Sequence, residues 1–422
     1  MSQEKKQWGA IIVMIALFAM IAFVTNLCTP MATIIKNQGE ISNVLAQIGN
    51  YGNFVAYLIM GIPAGMLIAK FGYKKTALIG LVVGIIGIAI QWYSGQLDAK
   101  ENLGLVFGVY LVGAFIAGLC MCILNCVVNP MLNLLGGGGN KGNQLIQIGG
   151  VFNSSAAVAC YILMGALIAD ATKAKIADAT PALMIALGIF VLAFVVILFT
   201  KIDEPQQAPV KIDLVKGAMS HRHFALGALA IFLYMGIEVG VPNFVQQYLI
   251  AENIPASTVG MLVAVYWFMM LIGRFVGAGI GSKVSSRAMI TTVSSLTIAL
   301  VLFGMFAPTD VLVSFPGVDW GKLEMIWQEI PVGIFAFLLV GLCTSVMWGA
   351  IFNMAVEGLG KYTAIASGIF MTMVFGCAVM MFIQASVADM TDYITSFWVV
   401  VFCAAYLLFY ALVGSRVTKR EE

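Results

Sequence analysis

Asn125, Asn129 and Asn133 recur every four residues in the apolar stretch CILNCVVNPMLNLLG, 122–136. Four residues is close to one helical turn, so the three amides line one helix face. An amide in hydrocarbon is costly unless it finds partners. Such a line implies interhelical hydrogen bonds or a polar ligand. Neighbouring apolar stretches carry more amides: Asn26, Gln47, Asn50, Asn53, Gln144, Gln147, Asn153, Asn243, Gln246, Gln247, Asn353 and Gln384. Amides donate and accept at once, so a set of them suits a polyhydroxylated neutral solute. Trp267 and Trp348 add flat apolar faces for the C–H side of a sugar ring. Helix–helix packing is the alternative role for every one of these residues.

Glu238 lies near the middle of its apolar stretch, the one carboxylate clearly so placed. A carboxyl at that depth can carry a proton or help hold Na⁺. Arg274 lies closer to the end of its own stretch, and Glu357 is its expected partner in a structural or gating contact. Other chemistries lack their parts. Cys122 and Cys126 are one turn apart, but no histidine or carboxylate lies nearby in sequence, so no metal is expected. The run GGGGNKG, 136–142, has neither the Lys-Ser/Thr pair nor the strand of a phosphate loop. No compact His/Asp/Glu cluster or soluble domain suggests an enzyme, and a net charge of +2 suggests no nucleic-acid partner.

The elements that position these residues are legible from composition. The chain has 422 residues, 61% hydrophobic and 10% charged, with a mean hydropathy of +0.99. Soluble proteins carry about 25% charged residues. Apolar runs long enough to cross a bilayer recur throughout, without the period-2 alternation of a membrane barrel. The first is too long for a cleavable signal peptide. Twelve spans are expected: 8–35, 45–69, 76–96, 104–135, 143–169, 182–200, 223–250, 256–282, 288–307, 330–357, 363–388 and 393–415. An even count puts both termini on one side. Sixteen lysines and arginines fall there and five on the other, so both termini are expected in the cytoplasm.

The polar stretch 201–221 divides the chain into six-helix bundles at 1–200 and 222–422. The halves echo each other. Gly118–Cys120 returns as Gly341–Cys343, and Asn26, four residues before Pro30, is matched by Glu238, four before Pro242. Such echoes in order argue for an internal duplication.

Two six-helix repeats resemble the major facilitator superfamily. GMLIAKFGYKK, 65–75, resembles that superfamily's motif between helices 2 and 3 through Gly65, Lys70, Gly72, Lys74 and Lys75. Ala69 stands where the motif has an acid, so the cytoplasmic gate that these residues imply lacks one charge. Within the superfamily, NPMLNLLG, GGVFNSSAAV, FLYMGIEVGVPNF and GLGKYTAIASG look like the fucose:proton symporter family, which includes glucose/galactose carriers. The resemblance implies sugar uptake driven by a cation gradient through alternating access. In that family two carboxylates occupy positions matching Thr29 and Asn125 here. Glu238 is then the expected proton carrier. Alternatively, Thr29, the asparagines and carbonyls freed near Pro30 and Pro242 serve Na⁺.

The expected protein is an all-α polytopic membrane protein of the bacterial inner membrane, monomeric, embedded in lipid, with H⁺ or Na⁺ as coupling ion and no other cofactor. Its expected substrate is a hexose or related monosaccharide. An uncoupled facilitator, or a carrier of another small polar solute such as an amino sugar or nucleoside, remains the alternative. Expected substrate contacts are Asn26, Asn53, Asn125, Asn129, Gln147, Asn153, Asn243, Gln246, Gln247, Trp267, Trp348 and Asn353. Glu238 and Thr29 are expected to couple, and the 65–75 motif with Arg274 to gate.

Overall fold

The structure, a computed structural model, describes residues 7–39, 41–98, 102–136, 139–167, 174–202, 213–280, 284–319, 322, 324–359 and 362–417. Eleven helical stretches among them are long and apolar enough to cross a membrane. One of these, Ile48–Ser94, runs 47 residues through Gly72, whose φ of 78° and ψ of 173° break the helix. That backbone is open to glycine and strained for other residues. The stretch therefore holds two spans, giving twelve among the described residues.

In chain order these are α1 (Trp8–Asn37), α2 (48–71), α3 (73–94), α4 (Leu103–Leu135), α5 (Gly139–Leu167) and α6 (Thr180–Phe199). The second set is α7 (Arg222–Ala251), α8 (Ala256–Ile280), α9 (Ser286–Phe306), α10 (Val332–Val356), α11 (Gly368–Met390) and α12 (Thr395–Gly414). A short helix, Asp213–Met219, leads into α7, while 203–212 of the expected linker lies outside the described residues. Twelve crossings leave Gln7 and Val417 at one end of the bundle, here the near end. The opposite end is the far end.

Small residues set the helix spacing. Gly80, Gly84 and Gly87 lay α3 against Ile123, Cys120 and Ala117 of α4. Close approach through small residues is the usual basis of packing in lipid, where no hydrophobic force separates helix from solvent. The tightest contacts repeat between halves. A Cβ on Gly118 of α4 would lie 2.1 Å from the Asn53 carbonyl of α2, and one on Gly341 of α10 would lie 2.1 Å from the Tyr266 carbonyl of α8. The Gly118/Gly341 echo in the sequence is thus one packing device used twice. All eight cysteines are unpaired and buried.

Residues 308–329, expected to be a plain connection, instead contain a hairpin. Leu312–Asp319 (β1) pairs antiparallel with Glu324–Pro331 (β2), with Gly317 packed onto Thr258 at the start of α8. Its strands are eight residues each and only Gly317 and Ile330 are buried, so they show no clear apolar alternation.

Candidate substrate cavity

The asparagine line of α4 has a clear hydrogen-bond logic. Asn125 Nδ2 donates to the Met121 carbonyl and to the Tyr57 hydroxyl, both at 3.1 Å. Asn129 Nδ2 donates to the Asn125 carbonyl at 3.2 Å. In α1, Asn26 Nδ2 does the same to Ala22 at 2.8 Å. Bonding back one turn satisfies each amide nitrogen within its own helix. The amide oxygens of Asn125 and Asn129 keep no partner among the described residues, and both side chains are half-buried. The line therefore presents acceptors. Asn133 and Gln147 have side chains outside the described set. Asn153 of α5 donates to the Phe18 carbonyl of α1 at 2.9 Å, which ties two helices of the first half together.

Facing elements from the second half carry the charge. Glu238 of α7 is half-buried, one turn after Tyr234, and Tyr266 donates to its carbonyl at 3.0 Å. Tyr266 also meets Thr344 Oγ1 at 3.1 Å, and Trp348, one turn further along α10, tilts against Tyr234 at 6.2 Å. Arg274 of α8 lies within electrostatic reach of Glu238 and Tyr234 of α7. Glu357, the partner expected from the sequence, lines a near-end pocket with Arg287. Arg274 also crosses to the first half: a Cβ on Gly150 of α5 would lie 2.2 Å from its Nη1. Its Nη2 rests 3.7 Å from Met270 Sδ, and its Nε is buried without a partner.

Other expected contacts lie elsewhere. Asn243 is buried in a pair of amide bonds with Gln47, the residue just before α2, Gln247 donates to Asn243, and Gln246 donates to Thr33 Oγ1 of α1 at 3.2 Å. These bonds join the two halves toward the far end. Asn53 is buried beside Gly118 with its Nδ2 unpaired. Trp267 stacks on Tyr161 across α8 and α5 at 6.3 Å, and its Nε1 is buried without a partner. Thr29 is buried just past the break of α1 at Leu27. Asn353 is exposed and lines a near-end pocket of about 410 Å³ with Ser285, Arg287 and Glu357, away from the asparagine line.

Within the motif at 65–75, Lys74 caps a neighbouring helix. Lys74 Nζ donates to the carbonyls of Leu198 and Thr200 at the end of α6, at 3.0 and 2.8 Å. A cation there complements the free carbonyls of a helix C-terminus. Lys70 lies over the Phe71 ring and, like Lys75, is exposed; Gly65 is half-buried on α2.

The far end holds a group that residue-by-residue reading did not single out. Asp389 of α11 accepts from the backbone N–H groups of Asn43 and Val44, at 2.8 and 3.0 Å. These are free donors at the start of the short helix Asn43–Ala46. Asn43 Oδ1 accepts from Lys36 at 2.6 Å and from Tyr393 at 2.7 Å, and Lys36 also donates to Tyr393. Burial pushes the Tyr393 phenol up to about 12, with the Asp389 charge adding to it, so it stays a donor. Tyr57 and Tyr234 were missed as well. The signal for both was spacing, since each lies one turn from a singled-out residue, Asn53 and Glu238.

Twelve helices in two pseudo-symmetric bundles, meeting around amides and one charged pair, define a membrane transporter, not an enzyme. Residues 11–382 match the Major Facilitator Superfamily, and the chain belongs to that superfamily. It is 28% identical to the glucose/galactose transporter of Brucella abortus, over 98% of this chain and 96% of that one. It is 22% identical to the L-fucose-proton symporter of Escherichia coli, over 95% of this chain and 92% of that one. A crystal structure of the superfamily transporter FucP in the outward conformation superposes with a TM-score of 0.69 at 20% identity, covering 96% and 99% of the two chains.

Proposed function

We propose that this chain imports a neutral monosaccharide, a hexose or close relative, by cation-coupled symport through alternating access. The observation that carries the reading is the makeup of the centre. Asn125 and Asn129 of the first half present amide oxygens with no partner among the described residues, and Glu238 and Arg274 are charged residues within the spans of the second half. Sugar hydroxyls are donors for such acceptors, and a centre with little net charge discriminates against strongly anionic solutes. The names of the relatives, glucose/galactose transporter and L-fucose-proton symporter, support the same class of solute.

Glu238 is the coupling group in this proposal. Arg274 reaches from α8 over Gly150 of α5, which places it between the halves and within electrostatic reach of Glu238. Movement of α5 against α8 then changes how firmly Glu238 holds a cation. The chain works as a monomer in a bacterial inner membrane, termini inside, and the far end faces outward.

The test is uptake into proteoliposomes of a panel of hexoses, 6-deoxyhexoses, amino sugars and nucleosides, with proton and sodium gradients imposed separately. Hexose accumulation driven by one of the gradients is expected. Transport of another solute class alone overturns the substrate reading, and hexose equilibration without accumulation under either gradient makes the chain a facilitator.

A further inference from the structure

We infer that Asn50 and Gln247, at the two ends of a buried amide chain between the halves, form a second hydroxyl-binding subsite, met by a sugar that comes from the far end. The inference rests on the neutral-sugar reading above. Asn50 Nδ2 donates to Gln47 Oε1 at 2.5 Å. Gln47 and Asn243 exchange two bonds, at 2.9 and 3.0 Å, and Gln247 Nε2 donates to Asn243 Oδ1 at 2.6 Å. The order is therefore α2, the residue just before it, α7 and α7, with the crossing between halves at the central pair. All four side chains are buried, at most 3% exposed.

The chain has a direction. Both outer amides spend a donor inward, which leaves the Asn50 Oδ1 and Gln247 Oε1 oxygens buried with no partner among the described residues. Leaving a buried acceptor unmade costs about 1–3 kcal/mol. A pure seal would have no use for two free acceptors of one kind, whereas a hydroxylated ligand supplies the missing donors. The central pair suits exchange as well. A sugar hydroxyl both donates and accepts, so it can replace one amide of the Gln47–Asn243 pair when the halves part. Closing returns Gln47 and Asn243 to each other, so only the two outer acceptors are left without a donor when the sugar departs.

A seal and a subsite make opposite predictions. If these amides only seal, weakening them populates the state open to the far end. The half-saturating sugar concentration from that side then falls. If they bind, it rises. The experiment uses proteoliposomes of the full chain and its Asn50→Leu and Gln247→Met variants, close in shape to the originals, with D-glucose and D-galactose applied from each side in turn. The expected result is a rise of about tenfold or more from the far side in both variants, with the near side changed less than about twofold. An unchanged or lower value from the far side in a variant that is folded by its melting curve overturns the subsite. Absence of any hexose transport by the wild type overturns the sugar reading and this inference with it. The two failures are distinguishable because only the second is seen without mutation.

Discussion

Asn43 and Asp389 belong to opposite halves of the molecule, 346 residues apart, and are joined by a bond of 2.8 Å from the Asn43 N–H to the Asp389 carboxylate. With the second bond from Val44, one side chain closes the start of a helix it does not belong to. Hydrogen bonds to charged groups contribute about 1.5–3 kcal/mol. Asp389→Ala should therefore shift the chain toward the state open at the far end. The readout is the rate at which an impermeant maleimide labels a cysteine placed at Thr33, a buried far-end position beside Gln246. About a tenfold faster rate is expected in the Asp389→Ala background; an unchanged rate removes the latch. Tyr393→Phe should act in the same direction more weakly. Raising the pH to about 9 should not imitate it, because the phenol stays protonated well past that point.

Glu238→Gln should abolish accumulation against a gradient while leaving sugar exchange across the membrane. The amide keeps the shape and loses the ability to bind and release a cation. Accumulation that survives the substitution unchanged assigns coupling to other groups.

Asn125→Ala should raise the half-saturating sugar concentration about tenfold, equivalent to about 1.4 kcal/mol. Thermal stability should hardly change, because the Asn125 bonds are to its own helix and to the Tyr57 hydroxyl. Normal affinity with a lowered melting point would mean that the residue is a packing contact after all.

Gly341→Ala should destabilise the second half and Gly118→Ala the first, each by about 1–3 kcal/mol, as overpacking does. The added Cβ meets a backbone carbonyl, which cannot swing away as a side-chain tip could. Gly108→Ala, with nothing within 4 Å, is the control and should be neutral or slightly stabilising. Melting curves in detergent compare the three.

Lys74→Met should lower the melting point, since the α6 carbonyls lose their cation at a cost of about 1 kcal/mol. Transport at saturating sugar should persist. A loss of transport with an unchanged melting point would return Lys74 to a gating role.

The spans were legible because a bilayer imposes length and hydropathy on every crossing segment, so α1 through α12 could be drawn from composition. Gly72 was visible as part of a motif and Gly118/Gly341 as an internal repeat, but the helix break at the first and the close backbone approach at the others depend on geometry that the sequence does not show. Partners across the halves were not. Gln47 meets Asn243 at a separation of 196 residues, and Asp389 meets Asn43 at 346. No pattern along either helix encodes the other's rotation. Nor did the sequence show that Arg274 comes within electrostatic reach of Glu238, because rise per residue locates a Cα, whereas a guanidinium acts several ångströms away. The amide line could be recognised, but not that its nitrogens are consumed within the helix while its oxygens stay available.

The eight buried cysteines matter in a different way, as a property of the chain as a measuring instrument. A wild-type protein whose thiols are all withheld from water has a dark background to aqueous labels. One engineered cysteine then reports from one address without prior removal of the native ones. Cys28, just past the α1 break, lies within 3.9 Å of the Gly49 carbonyl of α2, inside the first half. Any signal from the unmodified chain marks a moment when the protein has opened on its own.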